Sequence, residues 1–186
     1  MAAGAGVEVA GGVVTPMTGC RPEVAMRRLK LLLIVFVCAA GPAVSGPLED
    51  AVGAYLTGDY PTALRLLRPI AEQGDARAQN DLGIMYETGF GLTQDYLVAA
   101  TWYRKAADQG NPGGQYNVGA LYERGNGVPH DYVQALKWYS LAASRMGTTQ
   151  QETAGAISRI SNALAAKMTP AQIAEAQKLA REWKPK

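Results

Sequence analysis

Cysteine is almost missing from this chain, with only Cys20 and Cys38 among 186 residues. Both lie in an N-terminal stretch expected to be removed. The remaining body would then hold no disulfide, no thiolate nucleophile and no thiolate metal site. Histidine is scarcer still: His130 stands alone in the loop Val128-Pro129-His130-Asp131. One imidazole without a partner set makes neither an acid–base pair nor a metal centre. An excess of one charge sign is missing too. Arg21, Arg27, Arg28 and Lys30 precede residue 46 together with Glu8 and Glu23, so the chain's 18 basic and 16 acidic residues leave 14 of each in the body. A neutral body gives no electrostatic case for nucleic acid or an anionic membrane. The serines of the body, Ser140, Ser144, Ser158 and Ser161 among them, sit in no Gly-x-Ser-x-Gly elbow and no Ser-x-x-Lys pair. No residue set for catalysis, cofactor binding or metal ligation can be named, so a non-enzyme without cofactor is expected.

The chain also lacks a full membrane span. Leu31 to Ala40 is apolar and follows Arg27, Arg28 and Lys30, with Gly41-Pro42 and the small residues Ala43 and Ser45 after it. A bilayer-crossing helix needs roughly 20 apolar residues, about twice this run. The layout is that of a secretory signal peptide over 26–45, cut near Gly46 to release a periplasmic or secreted product. An inner-membrane signal anchor is the alternative. Val37 before Cys38 is not the small residue that lipoprotein processing needs, so lipidation is not expected. Residues 1–25, rich in Gly, Ala and Val without a sustained period, are expected to be a non-native or disordered extension, because Met26 is the better start for a signal peptide.

What the body does have is a repeat. Asp59-Tyr60, Asp95-Tyr96 and Asp131-Tyr132 recur at 36 residues, as do Ala63, Ala99 and Ala135, and Gly83, Gly119 and Gly155. Tyr86 matches Tyr122, Gly89 and Gly91 match Gly125 and Gly127, and Trp102-Tyr103 matches Trp138-Tyr139. Each unit reads as two antiparallel helices. Ala78, Leu82, Met85 and Tyr86 give the first a helical stripe, and Gly89 with Gly91 stops it. Asp95 and Asp131 start the second as N-caps, Asp131 with Gln134 in capping-box spacing. Ala99, Trp102, Tyr103, Ala106 and Ala107 form its buried stripe, which Gly110 ends. Thr169-Pro170-Ala171-Gln172 opens a final helix whose Ile173, Ala176, Ala180 and Trp183 would cover the last repeat. The divisions are 47–74 (a degenerate repeat), 75–110 and 111–146 (repeats), and 147–186 (a C-terminal cap), all within a body of 46–186.

Two stretches carry a family likeness. One is Leu82-Gly83-Ile84-Met85-Tyr86-Glu87-Thr88-Gly89-Phe90-Gly91-Leu92 with Ala99, Trp102-Tyr103, Ala106-Ala107 and Gly110. The other is Tyr116 to Val128 with Ala135, Trp138-Tyr139 and Ala142-Ala143. Together they resemble the Sel-like repeat, a branch of the tetratricopeptide superfamily. The resemblance implies an all-α, right-handed superhelical solenoid whose first helices line a concave face. It further implies adaptor or regulatory protein–protein interactions, often in the bacterial envelope. Related domains clamp peptides with an Asn just before the Leu-Gly of the first helix. Asn117 matches that position, and Asp81 departs from it one repeat earlier.

Helical spacing adds neighbours to these two: Arg77 and Met85 to Asp81, Gly113 and Leu121 to Asn117. Arg77, Asp81, Met85, Asn117 and Leu121 are therefore the expected partner-binding residues. Gly83, Tyr86, Trp102, Tyr103, Gly119, Tyr122, Trp138 and Tyr139 are expected to be structural, with Trp102 and Trp138 in equivalent spaces. The partner expected is another protein or a peptide, bound by a monomer without stable membrane insertion. A peptidoglycan-directed binding protein or hydrolase is the alternative.

Overall fold

The computed structural model describes residues 46–146 and 150–186. The extension at 1–25, the signal peptide at 26–45 with both cysteines, and the start of the cap at 147–149 lie outside the described residues.

Among the described residues there are eight helices and no strand. They are α1 (Pro47–Leu56), α2 (Tyr60–Glu72), α3 (Ala76–Thr88), α4 (Tyr96–Asp108), α5 (Pro112–Arg124), α6 (Tyr132–Arg145), α7 (Gln151–Ala165) and α8 (Pro170–Glu182). From α1 to α7 each helix packs on the next, while α3 also meets α5 and α8 folds back on α6. This is a helical repeat solenoid of antiparallel pairs, α1/α2, α3/α4 and α5/α6.

Local chemistry sets the boundaries. Asp95 accepts from the amides of Leu97 and Val98 at 2.9 and 3.0 Å, and Asp131 accepts from Gln134 N–H at 3.0 Å. Each satisfies an amide that the helix start leaves unpaired. Asp59 does the same with Thr62 N–H, and Asp75 with the amides of Arg77 and Ala78. At α8 the full capping box of Thr169 and Gln172 is present.

Packing explains the repeated glycines. A Cβ on Gly83 would lie 2.6 Å from the Tyr103 ring, and one on Gly119 would lie 2.9 Å from Tyr139. Glycine lets the second helix of each pair seat a tyrosine on the first. Those tyrosines then donate to carboxylates, Tyr103 to Glu87 Oε2 at 2.6 Å and Tyr139 to Glu123 Oε2 at 2.7 Å. Burial and the facing carboxylate hold both phenols well above their ordinary pKa. The third glycine has lost this role: Gly155 faces only the far end of Arg159, because α7 has no second helix of the same kind against it.

The two repeated tryptophans are not equivalent. Trp138 is fully buried, with Trp183 edge-on at 6.1 Å and the Arg104 guanidinium 5.0 Å from its ring centroid. Trp102 is only partly buried and carries the Lys105 ammonium 4.0 Å over its ring. The expectation of equivalent spaces is corrected here, because α8 exists on one side only.

Candidate interaction face

The first helices α3 and α5 carry the expected binding residues. They touch each other directly, and a row of polar side chains spans them. Asn117 Nδ2 donates to Asn80 Oδ1 at 2.9 Å, and Asn80 Nδ2 donates to Asp81 Oδ1 at 3.2 Å. Asn80 is the connecting residue that sequence spacing did not single out. It has no counterpart at 36 residues, where Tyr116 stands.

Arg77 lies exposed one turn before Asp81. Burial raises the Asp81 carboxyl from its ordinary 3.8 to about 6, against the opposing effects of the Asn80 hydrogen bond and the Arg77 charge. On α1, Tyr55 is pushed up to about 12, first by burial and then by the charges of Tyr60 and Asp81. Tyr55 in turn meets Tyr60 edge-on at 5.5 Å, and Phe90 stacks on Tyr60 at 4.7 Å.

Met85 and Leu121 do not belong to this face. They are 0% and 1% exposed and sit in separate core clusters. Helical spacing placed them with Asp81 and Asn117. A first helix, however, is packed from two sides, by its own second helix and by the one before. Arg77, Asp81, Asn80 and Asn117 remain, with Asn117 itself 7% exposed. This row offers amide donors, amide acceptors and one carboxylate, which suits hydrogen bonding to a chain segment. It holds no nucleophile and base in contact.

Other candidate chemistry resolves into structure. Asp59, Asp95 and Asp131 are engaged as caps. His130 is exposed and meets Tyr132 edge-on at 4.4 Å, and His130→Ala is expected to change stability by less than ~0.5 kcal/mol in a denaturant titration. Among the described residues no group of His, Cys, Asp and Glu could hold a metal ion, and no helix is long and apolar enough to cross a membrane.

A further polar pair recurs in the repeat, without a motif to mark it. Gln79 and Gln115, 36 residues apart, are both buried and donate to the carbonyls of Ala71 and Ala107 at 3.1 and 3.4 Å. Each ties a first helix to the end of the preceding second helix. Gln79 Oε1 accepts from Gln109 at 2.8 Å. At the equivalent place Arg145 is drawn over Trp183, 4.5 Å from its ring centroid, and Gln115 Oε1 is buried without a partner.

The Sel1 repeat family model matches residues 51–75, 76–111 and 112–145, the three helix pairs just described. The chain belongs to the Sel1 repeat family. A solved Sel1 repeat protein from Oxalobacter formigenes is similar at 33% identity and a TM-score of 0.51, over 55% of this chain and 41% of that one. The structure of c5321, a protective antigen present in uropathogenic Escherichia coli strains displaying an SLR fold, is similar at 28% identity and a TM-score of 0.59. That match covers 86% of this chain and 29% of the other, so this chain spans less than half the length of either relative. No curated protein matches. Sel1 repeat proteins are generally protein–protein interaction modules, and their fold is typically a non-catalytic scaffold.

Proposed function

We infer that this Sel1 repeat chain is an exported, non-catalytic adaptor or regulator of the bacterial cell envelope, holding a peptide or protein segment on the concave face of its first helices. The observation that carries this reading is the polar row from Arg77 through Asp81 and Asn80 to Asn117, which bridges two successive first helices. A repeat array presents such a row to an extended ligand, whose backbone amides offer matching donors and acceptors. A photo-cross-linker at Arg77 is expected to capture a protein partner from envelope extract, while one at exposed Glu175 on α8 captures none. Equal capture from both positions, or cosedimentation with purified peptidoglycan in place of protein capture, would overturn the assignment.

Export rests on the basic-then-apolar pattern of 26–45. α1 begins at Pro47, so a cut near Gly46 leaves every described helix whole. The mature product is expected to start near Gly46, to be a monomer and to stay soluble through a carbonate wash. A mature band that retains Leu31–Ala40 would defeat this.

Asp81 gives a pH test. Its folded pKa lies above the unfolded value, so the fold prefers the protonated acid. The corresponding stability is complete below pH ~4 and is lost as pH rises through about 6. Partial contact with water reduces the effect to ~1–2 kcal/mol. Urea titrations of Asp81→Asn are expected to show that gain at pH 7 and a flatter profile between pH 4 and 7. An unchanged profile would contradict the assigned burial.

A further inference from the structure

The C-terminal tail is held at two points. Trp183 packs against Trp138 at 6.1 Å and beneath the Arg145 guanidinium at 4.5 Å. Three residues later, Lys186 donates its backbone N–H to the Asp108 carbonyl at 2.8 Å and its ammonium to Asp108 Oδ2 at 3.1 Å. Between these points Lys184 and Pro185 are exposed and outside any helix. The lysine ammonium is itself largely exposed, and an ion pair in water holds little. The tail is therefore held chiefly at Trp183.

One unit earlier, the position of Arg145 has a different task. There Gln109 donates its amide nitrogen to the Gly74 carbonyl at 2.9 Å and to Gln79 Oε1 at 2.8 Å. The repeat equivalents of those two acceptors belong to Gly110 and Gln115. Arg145 keeps the location, since a Cβ on Gly110 would lie 3.1 Å from its Nη1 and 3.8 Å from the Trp183 ring. Its guanidinium is nevertheless turned onto that ring, and the fully buried Gln115 Oε1 has no hydrogen-bond partner. An unpaired buried acceptor is costly, and the donor that its twin uses has been taken by the tail.

We propose that residues 183–186 form a displaceable strap and that Arg145 is its latch, a side chain with two seats. In the closed state the guanidinium lies on Trp183, the strap covers Trp138, and Gln115 Oε1 stays unpaired. In the open state Arg145 donates to Gln115 Oε1 and to the Gly110 carbonyl, as Gln109 does one unit earlier. The tail then lifts from Trp138 and Asp108. Each state satisfies one group and leaves another unsatisfied, so two arrangements of the same element lie close in free energy. The strap thus governs access to the surface where Trp138 and Asp108 meet the tail. It does not depend on the polar row of the first helices binding anything.

The test is native-state hydrogen exchange in the full chain, followed at the Lys186 amide, which is bonded only while the strap is closed. The Leu121 amide, within α5 and at the core, reports global unfolding, and every change is read relative to it. Arg145→Gln installs the residue of the earlier unit at an exposed position, so it folds, loses the hold on Trp183 and supplies a partner for Gln115. It is expected to lower the Lys186 protection at least about tenfold, as the exchange of one contact for one buried hydrogen bond predicts. Gln115→Met removes the unpaired acceptor and with it the second seat, so protection is expected to rise. The opposite signs separate a latch from a packing role, which would move both variants the same way. Three results would overturn the proposal. One is a parent Lys186 amide that exchanges at the rate of a free peptide. Another is an Arg145→Gln variant with unchanged protection. The third is a Gln115→Met variant whose protection is unchanged or lower relative to Leu121.

Discussion

Trp138→Ala is expected to lower the unfolding free energy by ~3–5 kcal/mol, and Trp102→Ala by only ~1–3. The two share one position in the repeat, and composition alone gives them equal weight. Their surroundings differ. Trp138 has no exposed surface, with Trp183 on one side and two cationic side chains over the ring. Removing it opens a cavity in the cluster built by α4, α5 and α6 and covered by Ala180 and Trp183. Trp102 already borders water, so water enters the space its removal leaves and the cavity cost is smaller. Urea titrations of both variants decide the matter. Equal losses would mean that the C-terminal helix contributes nothing to the burial of Trp138.

Gly127→Ala is expected to cost ~3–5 kcal/mol, against ~1–2 for Gly125→Ala in the same loop. Both glycines have positive φ, 69° and 70°, so a side chain strains both backbones equally. The difference lies in what a Cβ would meet. At Gly125 the closest atom is the Cβ of His130, at 3.3 Å. At Gly127 it is the main chain of the previous repeat, overlapping the Tyr96 carbonyl and standing 2.8 Å from Leu97 N. A 3.3 Å contact is relieved by a shift of a few tenths of an ångström in the loop, whereas overlap with the main chain of a helix start is not. Gly91 stands in the same relation to Tyr60, with a Cβ 2.7 Å from the tyrosine's own Cβ and 3.2 Å from its carbonyl oxygen. This glycine is therefore the point where one unit is pressed against the one before. If the two variants melt together, the loop is not an interface between repeats.

These contrasts show what a repeat makes legible and what it hides. Periodicity identifies equivalent positions, and so it located the helices and the aspartate caps, while the local spacing of Thr169 and Gln172 located the capping box. It does not say what stands beyond the last unit. Trp102 and Trp138, and Gly83 and Gly155, look alike in sequence and differ in the structure because their neighbours differ. A single helical wheel hides more. Met85 and Leu121 fall beside Asp81 and Asn117 by spacing, yet helices pack against them from both flanks. Asn80 was invisible to periodicity because it does not recur. Gln79 and Gln115, with Glu87 and Glu123, do recur at 36 residues. Their role was missed because polar residues in a helix are read as solvated by default, whereas here they satisfy buried carbonyls and phenols.

The tail contact between Lys186 and Asp108 joins residues 78 apart in sequence, in a molecule assembled mostly from adjacent helices. This has a consequence for synthesis on the ribosome. The pairs from α1 to α6 can close in order as each leaves the exit tunnel, because each needs only the chain already made. The wall around Trp138 cannot. It stays open until α8 and the four residues after it have emerged, and an aromatic surface is exposed for all of that interval. A nascent chain stalled after α7 would thus carry complete helix pairs while Trp138 still lacks its cover from Trp183.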